Sequence, residues 1–521
     1  MKRYSVITRL ASVAVVCGLT LAFASCANED LAQNGKATTD DKGLTAFCTG
    51  EPATRTTMEA DGKFYWEAGD KIWVKDDSGN WKQSSNSPTG KTASFKFLMP
   101  GKYTAKSSYE VYYPGKNGNQ DQVTISANQK QTEPNTTAHF GASGDCGIAK
   151  ATRNATSHEF EFALDHKAAY LVFKPYTSND VLKYCYLTKI EVTSDNDITD
   201  TYTLDPTAET NTGALTGTGS GKQIILTTKG DYYGSTYPNG FPLTNTSANL
   251  ATNGAYMVIK PGTHTLRIRY WVKDVATGVE GVISKTFSSF NYEKNDYYDM
   301  TYALNVRNYD GYQYHMWDAR NNYWAGHEWD KADVWQPTLD GGWNGDYNQL
   351  SATGSDYNKS GGMGRYDAIN SCKNAPNANE MAWYVKKGDP RWDDNELWTS
   401  MGHLYKGGMW FKTKSYLQML SEYDVNRSPI NIDLRETDGT VSATPAQGPP
   451  QLLMRSRYFF VPALGYYSFG AFIGLGTEGS YWTSSAHPDD SNWAYRLTFS
   501  SSGVALDAPG SSEGAYTMKF E

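Results

Sequence analysis

The sequence predicts a mainly β chain, with two β-sandwich units in series followed by an α+β unit. Three observations carry this. From about Cys48 to Arg307 apolar and polar residues alternate with period two. Turn breakers recur between the alternating runs, as in "PGK" at 100–102 and 114–116, "TKGDYYG" at 228–234 and "KPGTH" at 260–264. Near residue 308 the composition changes, and eleven of the fifteen tryptophans lie beyond it. A chain of 521 residues is also too long for one ordinary core, and about 150 residues per domain predicts several units.

Residues 1–25 read as an export signal. Lys2, Arg3 and Arg9 flank an apolar run from Leu10 to Ala24 that is shorter than the roughly 20 residues a membrane-spanning helix needs. The run ends "LAFASC", which resembles the lipobox of bacterial lipoproteins and implies that Cys26 is lipidated; a plain secretory cut nearby, with Cys26 incidental, is the alternative. Acyl chains contribute about 0.8 kcal/mol per buried methylene, so several chains on one cysteine make a stable anchor. Loss of residues 1–25 removes three positive charges and takes the net charge from −8 to −11. Such a balance argues against nucleic acid as a partner. Residues 26–47 are small, polar and charged, the composition of a flexible tether.

The first β unit is expected over 48–155 and the second over 156–307. "HEFEFAL" places Phe160, Phe162 and Leu164 on one face of a strand. "TLRIRYWV" sets Leu266, Ile268, Tyr270 and Val272 against Arg267, Arg269 and Trp271. From 308 to 521 the alternation gives way to irregular aromatic, Gly- and Asn-rich sequence. Two short helices are expected there. In "PNANEMAWYVKKG", Asn377 and Glu380 have capping-box spacing, Met381, Tyr384 and Val385 form an apolar face, and Gly388 stands at the stop. The second runs over Thr413–Tyr423.

The chemistry of an enzyme is hard to find. HExxH and P-loop patterns are absent from the sequence. Asp489 and Asp490 are adjacent, so a strand would point them to opposite faces and a loop would use them to solvate a turn. His487 has no identifiable Ser or Cys partner. The expectation is therefore a non-enzyme without a cofactor or metal. Calcium finds no specific motif: "EPN" at Glu133–Asn135 lies far from the C-terminal unit, and "SDNDITD", with Asp195, Asn196, Asp197 and Asp200, lacks the EF-hand glycine and terminal glutamate. Cys48, Cys146, Cys185 and Cys372 form no CxxC spacing and leave disulfides and buried thiols equally open.

"TRTTMEADGKFYWEAGDKIWV" at 54–74, "FEFALDHKAAYLVFKP" at 160–175, "YMVIKPGTHTLRIRYWVKD" at 256–274 and "NDYYDMTYALNV" at 295–306 resemble, in order, the landmarks of the fimbrillin (type V pilin, Mfa-like) superfamily of Bacteroidota. The resemblance implies two transthyretin-like β-sandwiches, exported as a lipoprotein and displayed on the outer membrane, alone or in a pilus with other pilins. It also implies a proteolytic site after an arginine, for which Arg55 is best placed. "YFFVPALGYYSFGAFIGLGTEGSYWTSSAHPDDSNWAYRLTFSSSGV" at 458–504 is similar to the end of the Fibrobacter-type major paralogous domain, which implies a C-type-lectin-like fold. Family pilins are polymerised through a donated C-terminal strand. Here a whole unit occupies 308–521, which favours a tip, an accessory component or an independent surface protein.

Within that similarity Tyr481, Trp482, Ser484, Ser485, Ala494, Tyr495 and Leu497 fall on the family pattern and are expected to specify the fold. The intervening loop leaves His487, Asp489, Asp490, Asn492 and Trp493 as candidate ligand contacts. The partner expected is a glycan or protein of a host or bacterial surface. An exposed indole stacks on the apolar face of a pyranose while Asn and Asp take its hydroxyls. The functional expectation is a surface adhesin, and a glycan-capture lipoprotein is the alternative.

Overall fold

In the computed structural model, residues 43–49, 57–58, 64–208, 215–230, 234–345, 363–490 and 492–520 are described. Cys26 and Arg55 lie outside them. The described chain is mainly β, in two compact units. One runs up to Ser178 and includes Lys183–Lys273 and Val282–Leu304; the other comprises Asn179–Leu182, Asp274–Gly281 and the chain from Asn305 onward.

In the first unit, one sheet is ordered Trp81–Gln83, Trp73–Lys75, Ser108–Tyr113, Gly147–Arg153, Phe160–Phe162, Leu44–Thr49 and Lys96–Pro100. Leu44–Thr49 is thus an interior strand. It runs parallel to Phe160–Phe162 and antiparallel to Lys96–Pro100, with Phe47 opposite both Phe160 and Phe97. Its Phe47 ring stacks on Phe160 at 4.8 Å, inside a buried cluster with Trp66, Ile72, Val74 and Val111. The turn at "EAGD" is closed by Asp70, whose buried carboxylate accepts from the Glu67 amide at 2.7 Å and the Tyr113 hydroxyl at 2.9 Å.

Further sheets extend this unit. Ala169–Phe173 lies between Ala255–Ile259, antiparallel, and Tyr297–Asp299, parallel. Both Ala169–Phe173 and Ala255–Ile259 are buried at every position, and they read as continuous apolar runs because both faces are covered. Gly262–Lys273 shows the opposite pattern: Leu266, Ile268, Tyr270 and Val272 are fully buried while the residues between them reach solvent. It pairs antiparallel with Tyr186–Ser194, so Ile268 faces Val192 and Tyr270 faces Ile190. Burial and period two agree because one side of this strand meets the core and the other meets water.

The second unit has two main sheets. Arg307–Tyr309, Arg391–Ser400, His403–Lys412 and Tyr458–Pro462 form the spine of one. The other is ordered Tyr314–His315, Ala515–Tyr516, Glu478–Ala486, Ala494–Ser500, Val504–Asp507 and Val441–Ala443. The helix Ala378–Lys387 starts with the expected capping box: the Asn377 side chain accepts from Glu380 N–H, and the Glu380 carboxylate accepts from Asn377 N–H. Its Met381, Tyr384 and Val385 are buried in the unit's core, where Tyr384 meets Phe411, Phe459 and Phe520 edge to face. The second helix is shorter than expected, Lys414–Met419, with Thr413 as N-cap. The chain after it leaves the helix because Glu422 N–H and Leu420 N–H close onto Leu417 and Tyr416 carbonyls as a terminal turn.

The alternation in Gly262–Lys273 sets a direct test. Ile268→Ala should cost about 2–5 kcal/mol in urea unfolding, because a fully buried side chain leaves a cavity. Arg267→Ala, one residue away on the solvent side, should stay within about 0.5 kcal/mol of the parent.

Candidate functional site

The strands Glu478–Ala486 and Ala494–Ser500 form an antiparallel hairpin in which Tyr481 faces Leu497 and Trp482 faces Arg496, with a register shift between Trp482 and Ala486. Gly479 lies opposite Phe499, and a Cβ there would sit 2.1 Å from the Phe499 ring, so only glycine allows that ring to cross the strand. Tyr481, Trp482, Ala494, Tyr495 and Leu497 are buried, as are Thr483 and Ser485. The Trp482 indole N–H donates to the His315 carbonyl at 2.7 Å, and Trp317 N–H donates to the Thr483 carbonyl at 2.9 Å. Ser485 Oγ accepts from Ala378 N–H at 3.1 Å and so ties the hairpin to the start of the capped helix. These residues hold the hairpin in its unit and leave nothing for a ligand.

The loop between the strands behaves differently. Asp490 Oδ1 accepts from both the backbone N–H and the side-chain amide of Asn492, at 2.9 and 2.8 Å, and Trp493 N–H donates to the Asp490 carbonyl. His487 N–H donates to the Trp493 carbonyl at 3.0 Å, which closes the turn. Trp493 is 52% exposed. Asp489 N–H donates to His487 Nδ1 at 3.3 Å, so Nε2 carries the imidazole proton and donates it to Asp438 at 3.0 Å. Asp438, His487 and Asp489 offer ligand atoms within 4.8 Å of one another. Calcium takes oxygen ligands, and here one of the three groups is an imidazole with both ring nitrogens hydrogen-bonded. Asp438 was not singled out in the sequence; it lies 49 residues before His487 in an irregular stretch, and no spacing rule joins them.

A second segment borders this loop without having been expected. Residues 363–369 run antiparallel to the end of Glu478–Ala486: Gly364 N–H donates to Pro488 O, Ala486 N–H to Tyr366 O and Ala368 N–H to Ser484 O. Met363 and Ile369 are 86% and 68% exposed, and Tyr366 is 37% exposed.

The C-terminal tryptophans divide unevenly. Trp317, Trp324, Trp392, Trp398, Trp410 and Trp482 are buried, Trp329, Trp335 and Trp383 are partly buried, and only Trp343 and Trp493 stand out as exposed. Aromatic abundance after residue 308 is therefore mostly core. The remaining sequence candidates are structural in kind. Within "EPN", Asn135 Oδ1 accepts from the Tyr256 hydroxyl at 2.7 Å. In "SDNDITD", Asp195 accepts from Thr265 N–H, Asp200 from Ser220 N–H, and Asp197 pairs with Lys260 at 2.7 Å, so each carboxylate is spent on the protein. Cys48, Cys146, Cys185 and Cys372 are buried, and burial pushes the Cys372 thiol up to about 12.

No family model and no curated protein matches the sequence. Solved structures with which it shares some likeness include a candidate cell adhesion protein of Bacteroides ovatus, at 12% identity and TM-score 0.30 over 50% of this chain and 91% of that one. The fimbrial anchor protein Mfa2 of Porphyromonas gingivalis is similar at 10% identity and TM-score 0.23, over 50% of this chain and 90% of that one. A fimbrial protein of Bacteroides ovatus is similar at 10% identity and TM-score 0.22, over 90% of this chain and 97% of that one.

Two outcomes follow from the geometry. Trp482→Ala should lower stability by about 3–5 kcal/mol, while Trp493→Ala, half in solvent, should change it by less than about 1 kcal/mol; chemical denaturation separates them. For Asp195 and Asp200, bonds from the Thr265 and Ser220 backbone amides hold the carboxyls below their usual range. A carboxyl with a depressed folded value contributes stability above its unfolded value of about 4 and loses it as pH falls through the folded value. The stability gap between the parent and the Asp195→Ala/Asp200→Ala variant should thus be full at pH 7 and close progressively below about pH 4.

Proposed function

We propose that the chain is a surface adhesin of the fimbrillin type, lipid-anchored through Cys26 to the outer membrane. Its second unit bears the ligand contacts, at His487, Asp489, Asp490, Asn492 and Trp493. The observation that carries the reading is the agreement between sequence landmarks and buried strands. Trp66, Ile72 and Val74, the strand Phe160–Phe162, Ala169–Phe173, Ala255–Ile259, Gly262–Lys273 and Tyr297–Asp299 all contribute to the sheets and cores of one compact unit, in the order the fimbrillin resemblance requires. No nucleic acid or cofactor enters this role.

A tip or accessory position in a pilus, beside other pilins, is part of the same proposal. Ala515–Tyr516 pairs with Tyr314–His315 and touches Tyr481 in register, and the Phe520 ring is buried against Phe459. Those residues are committed to their own unit and are not offered for donation. Cleavage after Arg55 belongs to the same proposal, and it would cut the chain between the interior strand Leu44–Thr49 and the rest of the sheet.

The exposed indoles Trp343 and Trp493 favour a second reading, a glycan-capture lipoprotein outside any pilus. A glycan array probed with the whole exported chain, with and without calcium, separates the two: tight polysaccharide binding selects capture.

The anchored-adhesin reading is tested in cells. Cys26→Ser should move the protein from the membrane fraction to the soluble fraction, and protease added to intact cells should degrade the parent. Protection of the parent in intact cells, or recovery of it in the cytoplasm, would remove the reading.

A further inference from the structure

We infer that the edge formed by residues 363–369 is a strand-addition surface for an extended, lysine- or arginine-bearing segment of a partner protein. The inference rests on the adhesin reading for its setting and names the kind of partner for the same face. Gly364, Tyr366 and Ala368 direct their backbone bonds toward Pro488, Ala486 and Ser484. Between them, Asp367 stands opposite Ser485 as an antiparallel bridge partner that exchanges no backbone bond with it. In that geometry the N–H and C=O groups of Arg365 and Asp367 point away from the hairpin, toward solvent. An edge of this kind, unpaired among the described residues, is a template for another strand, and main-chain bonds supply the affinity.

The side chains choose among partners. Met363 and Ile369 flank the open stretch and are both largely exposed. The Arg365 guanidinium is taken by Asp367 at 2.9 Å, and Arg435 by Asp433 at 2.6 Å. At the end of the edge, next to Pro488, stand Asp489, Asp490 and Asp438, the last bonded to His487. Among the described residues the carboxylates that remain outnumber the cations, and the complementary strand is apolar on its inward positions and basic on its outer ones. An ammonium beside a half-exposed indole such as Trp493 gains a cation–π contact as well.

The test uses the exported chain and two synthetic peptides of about eight residues, one alternating valine with lysine and one alternating valine with glutamate, the length of an ordinary strand. The lysine peptide should bind at least about tenfold more tightly than the glutamate peptide. Asp367→Pro, which removes the outward N–H, should abolish that binding, while Asp367→Ala, which keeps it, should not. Asp438→Asn/Asp489→Asn should erase most of the preference between the peptides. Hydrogen exchange on the parent provides a readout independent of any variant: the Arg365 and Asp367 amides should slow when the lysine peptide is added. Equal affinity for the two peptides, binding unchanged by Asp367→Pro, absence of binding, or unprotected Arg365 and Asp367 amides would each overturn the inference. A positive glycan array with no peptide binding would overturn it and leave the adhesin reading in place, whereas cytoplasmic recovery of the protein would remove the adhesin reading whatever the peptides do.

Discussion

Indole N–H groups bonded to backbone carbonyls hold the second unit in shape. Trp317 donates to Thr483, Trp398 to Gly407, Trp482 to His315 and Trp383 to Arg427, all at 2.7–2.9 Å. A unit with much irregular backbone has many carbonyls that no ladder satisfies, and a buried one without a partner is costly. A tryptophan answers both demands at once. Its ring fills volume that short strands cannot fill, and its single donor takes up a carbonyl from a loop or strand end. The hairpin that carries the candidate contacts depends on this, since Trp482 and Trp317 bond across it from opposite sides of the sequence.

Much of this was legible before any coordinates. Phe160, Phe162 and Leu164 are buried as period two required, and so are Leu266, Ile268, Tyr270 and Val272. The capping box at Asn377 and Glu380 could be read because its bonds span three residues and need no tertiary partner. Contacts across long stretches of chain were not legible. Nothing local in "LTAFCT" says that it runs parallel to a strand more than a hundred residues later. The 363–369 segment is a mixture of glycine, charge and apolar residues with no period, and it takes extended form only because the end of Glu478–Ala486 offers it partners.

The candidate loop shows the same division at the scale of single residues. That Trp482 belongs to the fold and Trp493 to the surface followed from where the family pattern stops, and their burial differs accordingly. The Asp490–Asn492 turn is ordinary side-chain-to-backbone chemistry of a kind those residue types announce. Asp438 could not be found this way, because an aspartate in a polar stretch has no signature until an imidazole is brought against it. The aromatic count after residue 308 is similarly ambiguous in sequence, where it fits a binding surface or a core, and most of these tryptophans are buried.

The interior place of Leu44–Thr49 has a mechanical meaning. A pull applied to the chain before it would enter the fold along that strand. It is flanked on one side by a parallel neighbour and on the other by an antiparallel one, with Phe47 and Cys48 sealed beneath. A strand drawn along its own axis from such a slot must shear its cross-strand bonds together instead of peeling them one at a time. A single backbone cut downstream of that strand would leave it held to the first unit by those bonds and by packing such as the Phe47–Phe160 stack.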